Sequence, residues 1–432
     1  MTKKTINPAL TLVLVFFIGI TLGTVALKLP LATTSTITWL DALFTATSAM
    51  TVTGLVVLST AHDFTVVGQL IIITLIQVGG LGIMTFAILV FLVLGKKIGL
   101  KQRLTIQFAL NQTSLTGMVH LIRMILLYTL LIEGAGTFVL AWRFVPMFGL
   151  TKGLYYSAFH AISAFNNAGF ALWDDSLVAF VRDPLIVLPI SALIIVGGLG
   201  FTVLMDVRHY PTRRRLTLHS KLMLIGTLII TTVATVLLFA IEYTQILPVN
   251  EQFFGAYFQA VTARTAGFNS VDIGGLEDGS LFMLIILMFI GGGSASTAGG
   301  IKLTTFIVII CTTLAFLRSR KEVVVLRRTL RPAIITKALA LTTISLLWVV
   351  FVTFCLTLTE HAPFLTLLFE TVSAFGTVGL SVNFTADLSM IGKLLIIVTM
   401  MLGKLGPLTL LFSFAQAEPP KIGYPHEDVV IG

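Results

Sequence analysis

Four short stretches of the chain carry residue types suited to holding a cation through backbone oxygens. The most regular is Thr371 to Leu380, which contains Thr377-Val378-Gly379 between two long apolar runs. A glycine-bearing segment of this kind presents carbonyls that replace an ion's water shell. The pattern recurs three times. Phe369, Ser373 and Ala374 before Gly379 are matched by Phe44, Ser48 and Ala49 before Gly54. Phe159, Ser163 and Ala164 stand before Gly169, and Phe258, Thr262 and Ala263 before Gly267. The copies recur roughly every hundred residues, the signature of structural repeats. Glycine tolerates backbone conformations that branched residues resist, so neighbouring carbonyls can face one axis at Gly54, Gly169, Gly267 and Gly379. The preceding pairs Val52-Thr53, Asn167-Ala168, Thr265-Ala266 and Thr377-Val378 would supply further carbonyl layers. The third copy is one residue shorter between Thr262 and Gly267, so four-fold symmetry is expected to be approximate.

A second glycine pattern follows each copy: Gly79-Gly80-Leu81-Gly82, Gly197-Gly198-Leu199-Gly200, Gly291-Gly292-Gly293 and Gly403-Lys404-Leu405-Gly406. For the first two the reading is close helix packing through small residues. The third continues as Ser294-Ala295-Ser296-Thr297-Ala298-Gly299-Gly300. An unbroken helix from Leu281 to Phe316 would be about 54 Å long, against a hydrocarbon core of about 30 Å. A break at the glycines resolves the excess and puts a loop across the ion path below the carbonyl rings. It is not a phosphate loop, because Gly300-Ile301-Lys302-Leu303 lacks the Lys-Ser/Thr ending. Lys404 falls at the depth of this loop; an intramembrane charge is rare and faces an interior, where it would donate to loop carbonyls and oppose a cation. Arg264 is expected to anchor its loop to a carboxylate or to carbonyls, with Glu370 as its partner or as a separate anchor. Glu133 and His160 read as hydrogen-bonded structural groups. No nucleophile–base pair and no metal-type histidine cluster is present, so an enzyme is not expected.

The elements that must position these stretches are membrane helices. The 432 residues are 56% hydrophobic and 11% charged, with mean hydropathy +1.01, whereas soluble domains carry about 25% charged residues. Each stretch is flanked by apolar runs long enough to span. The expected spans are Leu10–Leu27, Val66–Leu94, Val119–Phe144, Leu185–Met205, Leu222–Ile241, Leu281–Phe316, Ala333–Leu358 and Met390–Phe414. The first exceeds the apolar core of a signal peptide, about 7–15 residues, and is read as retained. Cys311 and Cys355 both lie in apolar runs and imply no disulfide framework. The net charge of +9 sits in the linkers, at Lys96, Lys97, Lys101 and Arg103, then Arg208, Arg213, Arg214, Arg215 and Lys221, then Arg318, Arg320, Lys321, Arg327, Arg328 and Arg331. That bias places the linkers and both termini in the cytoplasm and argues against a nucleic-acid surface. The expected fold is therefore all-α and polytopic: four helix–pore loop–helix repeats, eight transmembrane helices in all, around one pseudo-four-fold pore. The repeats divide as residues 1–95, 96–206, 207–318 with the broken inner helix, and 319–416, followed by a cytoplasmic tail over 417–432.

These residues resemble the membrane subunit of the Ktr/Trk potassium-uptake superfamily, bacterial Ktr type. The likeness covers nearly the whole chain: the four glycines, Arg264-Thr265-Ala266-Gly267-Phe268, and the glycine-rich break. The chain begins directly with the first repeat, without an extra N-terminal helix pair, and its tail ends Asp428-Val429-Val430-Ile431-Gly432, like Ktr tails at a dimer interface. The resemblance implies potassium uptake through the cell membrane, down an electrochemical gradient and stimulated by sodium. It implies a membrane homodimer and a cytosolic nucleotide-binding regulatory ring of the RCK type. It makes Gly291 to Gly300 an intramembrane gate with Lys404 beside it, where relatives often carry arginine; lysine cannot form the bidentate fork. The alternative is a secondary transporter of another cation or small solute using broken helices at the midplane. That architecture favours inverted repeats, whereas these run in one orientation.

Overall fold

The computed structural model describes residues 8–82, 118–242, 249–294, 296–320, 322–406 and 427. The helices are α1 (Pro8–Leu27), α2 (Trp39–Thr51), α3 (Val66–Leu81), α4 (Met118–Phe148), α5 (Leu150–Phe165), α6 (Pro184–Leu199), α7 (Phe201–Arg213), α8 (Leu218–Glu242), α9 (Val249–Thr262), α10 (Asp278–Phe289), α11 (Leu303–Leu317), α12 (Pro332–Thr359), α13 (Phe364–Gly376) and α14 (Met390–Leu405). The two strands, β1 (Val324–Val325) and β2 (Arg328–Thr329), form an antiparallel hairpin in the basic linker before α12. Linker residues 96, 97, 101, 103 and 321 and the tail from 417 to 426 lie outside the described residues, as do the tail's last five.

Three helices pack together four times. In the first, second and fourth groups, α1–α3, α4–α6 and α12–α14, every pair of helices is in contact; in the third, α8 packs against both α9 and α10. Neighbouring groups meet by one rule. The last helix of a group packs on the short middle helix of the next: α3 on α5, α6 on α9, α10 on α13 and α14 on α2. The last contact returns to the first group, so the arrangement closes on itself.

Hydrophobicity is turned outward as well as inward. Phe44, Phe258 and Phe369 are fully buried and Phe159 nearly so, each one turn before the Ser or Thr of its motif. On α4, Leu130, Phe138 and Trp142 are 68%, 71% and 75% exposed, and α12 exposes Leu347, Val350 and Phe354. Apolar side chains facing outward along long helices suit a lipid solvent. Among the described residues, Arg123–Phe148, Leu218–Glu242 and Pro332–Thr359 are long and apolar enough to cross a membrane. Pro184–Leu199 and Phe201–Thr212 make a fourth if that bent pair is one span.

The last helix of each group is shorter than its apolar run suggests. α3, α6 and α14 each have 16 residues, about 24 Å of helix. Each ends on glycine in the left-handed half of backbone space: Gly82 at φ 79°, Gly200 at 95° and Gly406 at 82°. The expected single span Leu185–Met205 is therefore corrected. It breaks at Gly200, and α7 departs at 96°. The expected runs beyond Gly82 and Gly406 leave the described residues.

Candidate functional site

Each short middle helix ends in the same turn. Val52 (φ 56°), Asn167 (57°), Thr265 (84°) and Thr377 (48°) are left-handed, and two residues later so are Gly54 (90°), Gly169 (70°), Gly267 (78°) and Gly379 (97°). The residue between, Thr53, Ala168, Ala266 or Val378, keeps negative φ. Three of the four leading residues are β-branched, for which this region costs about 1–3 kcal/mol. Hydrogen bonds hold them there. Thr53, Ala168 and Val378 donate their N–H groups to the carbonyls of Ser48, Ser163 and Ser373 at 2.8, 2.8 and 2.9 Å. In the shortened third copy Ala266 N–H reaches the Thr262 carbonyl at 2.8 Å, so the missing residue is absorbed in the helix cap while the bond is kept. Gly54 and Gly379 also donate to Ser48 Oγ and Ser373 Oγ, both at 3.1 Å.

The four turns form one cycle. A Cβ added to Gly54 would lie 3.0 Å from Gly169 Cα; from Gly169 it would lie 3.0 Å from Gly267 Cα, from Gly267 3.0 Å from Gly379 Cα, and from Gly379 2.9 Å from Gly54 Cα. Each glycine also abuts the carbonyl preceding the next glycine, those of Ala168, Ala266, Val378 and Thr53 in turn. No side chain fits between these backbones, which is why glycine stands at all four corners. The Asn167 amide ties two corners together. It donates to the Ala164 and Ile194 carbonyls at 3.1 Å each and accepts from Thr265 Oγ1 at 3.2 Å.

Behind the turns, one residue position on each middle helix does a common job. One turn before the Ser or Thr stand Thr45, His160, Gln259 and Glu370. Glu370 is fully buried and accepts from Ser381 Oγ (2.5 Å), Val382 N–H (3.1 Å) and Thr385 Oγ1 (2.7 Å). His160 Nε2 accepts from Leu172 N–H at 3.3 Å, while its Nδ1 donates to the Tyr156 carbonyl at 2.7 Å. Gln259 Nε2 donates to Ser270 Oγ at 3.5 Å. Each fastens the segment just past a glycine to its helix; Thr45 Oγ1 makes no such bond. Of the two roles open to Glu370, the structure supports the separate anchor. Arg264, 8% exposed, donates instead from Nη2 to Thr227 Oγ1 at 3.4 Å, and its Nε is unpartnered.

The glycine-rich break lies between α10 and α11. Its ends are stitched by the Ile290–Ile301 bridge, by Gly291 N–H to the Ile301 carbonyl (2.8 Å) and by Leu303 N–H to the Gly292 carbonyl (3.0 Å). Gly293 N–H donates to Gly198 at 2.8 Å and Gly300 N–H to Gly403 at 3.3 Å. The loop lies directly against the fourth turn: Gly299 contacts the Thr377 side chain and Gly300 contacts Gly376. Thr297 Oγ1 lies 3.5 Å from the Phe165 carbonyl. Ser296 Oγ donates to the Gly293 carbonyl at 2.7 Å and accepts from Ala298 N–H at 3.2 Å. Ser294 is half-buried, and Ala295 lies outside the described residues. Two ammonium groups converge on the loop. Lys404 donates to the Thr297 carbonyl, and Lys302 Nζ donates to the neighbouring Ala298 carbonyl at 2.6 Å. Lys302 was not anticipated as a loop contact. Its only sequence signal is a lysine closing a glycine-rich apolar stretch.

The close-packing role expected of the second glycine pattern is seen at Gly79 and Gly197, and also at Gly403. They press on the carbonyls of Met50, Phe165 and Phe375, the last turns of α2, α5 and α13.

The outward-facing apolar helices mark a membrane protein, and its family is one of cation transport proteins. The family model described as TrkH, cation transport protein, matches residues 10–422, and the chain belongs to that family. It is 50% identical over 431 residues to the Ktr system potassium uptake protein B of Bacillus subtilis (strain 168), covering 99% of this chain and 97% of that protein. It is 43% identical to the Vibrio alginolyticus protein of the same name, over 98% and 94% of the two chains. It is 38% identical to the potassium/sodium uptake protein NtpJ of Enterococcus hirae, over 100% and 98%. The crystal structure of the potassium transporter TrkH from Vibrio parahaemolyticus superposes with TM-score 0.74 at 19% identity. It covers 96% of this chain and 86% of that one, a likeness of fold.

Proposed function

We propose that the chain takes up potassium across the cell membrane, with the four turns as its selectivity filter and Gly291 to Gly300 as an intramembrane gate. The observation that carries this reading is the closed cycle of four glycine corners. In each turn the sign of φ alternates over three residues, cancelling the half-turn that separates successive carbonyls in extended chain. Carbonyls of Val52, Thr53 and Gly54 and of their counterparts in the other three turns then point to one side. Such oxygens take the place of a weakly hydrated ion's water. Four repeats of one orientation around one pseudo-four-fold axis account for the cyclic packing, and eight crossings follow if α6 with α7 and α10 with α11 each count once. The exposed arginines Arg208, Arg214, Arg215, Arg318, Arg327 and Arg328 support a cytoplasmic side opposite the turns.

The gate reading rests on the loop's position against Thr377 and Gly376 and on the two lysines that hold it. Ammonium groups beside the path oppose a cation at close range in a medium of low dielectric. We propose sodium as the second ion, in line with the potassium/sodium name of the Enterococcus relative. We also propose a homodimer controlled by a cytosolic nucleotide-binding ring, on the resemblance of motifs and on the relatives' description as parts of a Ktr system. The deciding experiment is rubidium flux into proteoliposomes with potassium or sodium as competitor, with and without the cytosolic ring. Potassium should suppress the flux and equal sodium should leave it standing. Equal suppression by the two ions, or saturable uptake of an organic solute in place of rubidium, overturns the reading.

A further inference from the structure

Glu133 lies midway along α4 and is 5% exposed. Its Oε2 accepts from Gln77 Nε2 of α3 at 3.0 Å, and its Oε1 accepts from Asn166 Nδ2, at the end of α5, at 2.9 Å. Among the described residues no cation lies within ion-pair distance of it. The helices packed on this face offer none: α3 and α6 contain no titratable residue. On α5, Lys152 is exposed, Tyr155 donates to Gln69, Tyr156 packs on Phe148 and Trp173, and His160 bonds within its own loop. On α4, Arg123 is exposed, Tyr128 bonds Arg208 and Arg143 pairs with Asp183. A bare carboxylate in such a place is costly.

The hydrogens also fall short. Asn166 Nδ2 carries two, yet three oxygens crowd it: Gln77 Oε1 at 2.7 Å, Glu133 Oε1 at 2.9 Å and the Ile162 carbonyl at 2.9 Å. Asn166 is fully buried and its Oδ1 has no partner. A hydrogen carried by the carboxyl itself leaves the two on Nδ2 for Gln77 Oε1 and the Ile162 carbonyl, and one positive charge cancels the buried negative one. A proton supplies both. A metal ion would need room, and Gly80 is pressed directly against the Asn166 amide.

We propose that Glu133 is a proton-binding site. Its carboxyl holds a proton in this conformation, and the resulting neutral cluster locks α3, α4 and the end of α5 together. Asn166 is the residue before the Asn167 turn, so release of the proton loosens that corner of the cycle. The proposal rests on the transport reading only where flux is measured.

The test is infrared spectroscopy of the full chain in proteoliposomes at neutral pH, paired with rubidium flux across a pH series. The wild type should show a protonated-carboxyl C=O stretch that shifts on deuteration and is lost in Glu133→Gln. Wild-type flux should decline as rising pH removes the Glu133 proton; Glu133→Gln, a neutral near-isostere, should fold, keep neutral-pH flux and lack that decline. An ionised Glu133 at neutral pH overturns the proposal. So does a band that sodium titrates away, a Glu133→Gln protein that fails to fold, or an alkaline decline retained in that variant. The band present with no flux in either protein would refute the transport reading and leave the proton site standing.

Discussion

At the scale of the residue, the turns combine one strained position with one that admits no side chain. Gly379 sits at φ 97° with the Thr53 carbonyl against it and Gly54 Cα 2.9 Å from any added Cβ. Gly379→Ser should displace the neighbouring corner and lower potassium-over-sodium preference by about tenfold, equivalent to about 1.4 kcal/mol. An unchanged ratio in competition flux contradicts the filter role. Glu370 supports the segment that follows. Glu370→Ala removes the acceptor shared by half-buried Ser381 and Val382 and by buried Thr385 and should cost about 1–3 kcal/mol, read as thermal unfolding of the detergent-solubilised protein; Glu370→Gln, keeping one oxygen, should recover part of it. The glycines and the Ser or Thr ahead of them were legible in the sequence because the motif repeats. The buried cluster of Gln77, Glu133 and Asn166 was not. Its members come from three helices, and nothing local in the sequence says that they meet.

At the scale of the element, one short pattern does two jobs. In Gly79-Gly80-Leu81-Gly82 and its counterparts in α6 and α14, the first glycine lets a carbonyl of the middle helix approach and the last ends the helix. The sequence displays both as small residues, so it supports the packing role and hides the ending. That is why the break at Gly200 was missed while the break after Phe289, with five glycines in ten residues, was plain. The loop there is anchored at both ends and by Lys302 and Lys404. Removing residues 294–298 should raise rubidium flux or release it from control by the proposed cytosolic ring; flux unchanged with and without that ring refutes the gate. Lys302→Met with Lys404→Met should act in the same direction with the loop intact.

At the scale of the whole molecule, the cycle is fastened on the side of the turns between each pair of groups. His62 pairs with Asp174 at 2.9 Å, Leu177 N–H donates to Asn269 at 2.8 Å, Asn383 donates to Asp272 at 3.2 Å, and Lys393 pairs with Asp41 at 2.9 Å. The last joins the fourth group to the first, and its two side chains are only 17% and 14% exposed. Asp41→Ala should therefore cost about 1.5–3 kcal/mol of stability, and Lys393→Met added to it should cost little more. A double-mutant cycle on thermal unfolding checks the coupling, and additive losses refute it. The exposed His62–Asp174 pair should contribute less.

The shortened third turn has a consequence for how such a protein changes. In a ring assembled from four identical chains, every substitution enters four times and symmetry is enforced. Here the four corners are separate stretches of one chain, so a deletion between Thr262 and Gly267 is felt at one corner only and is absorbed by one cap. Each quarter is free to acquire its own duties. The break that follows the third corner and the lysine that follows the fourth are unequal additions of that kind, which a strictly symmetric ring would have to make everywhere or not at all.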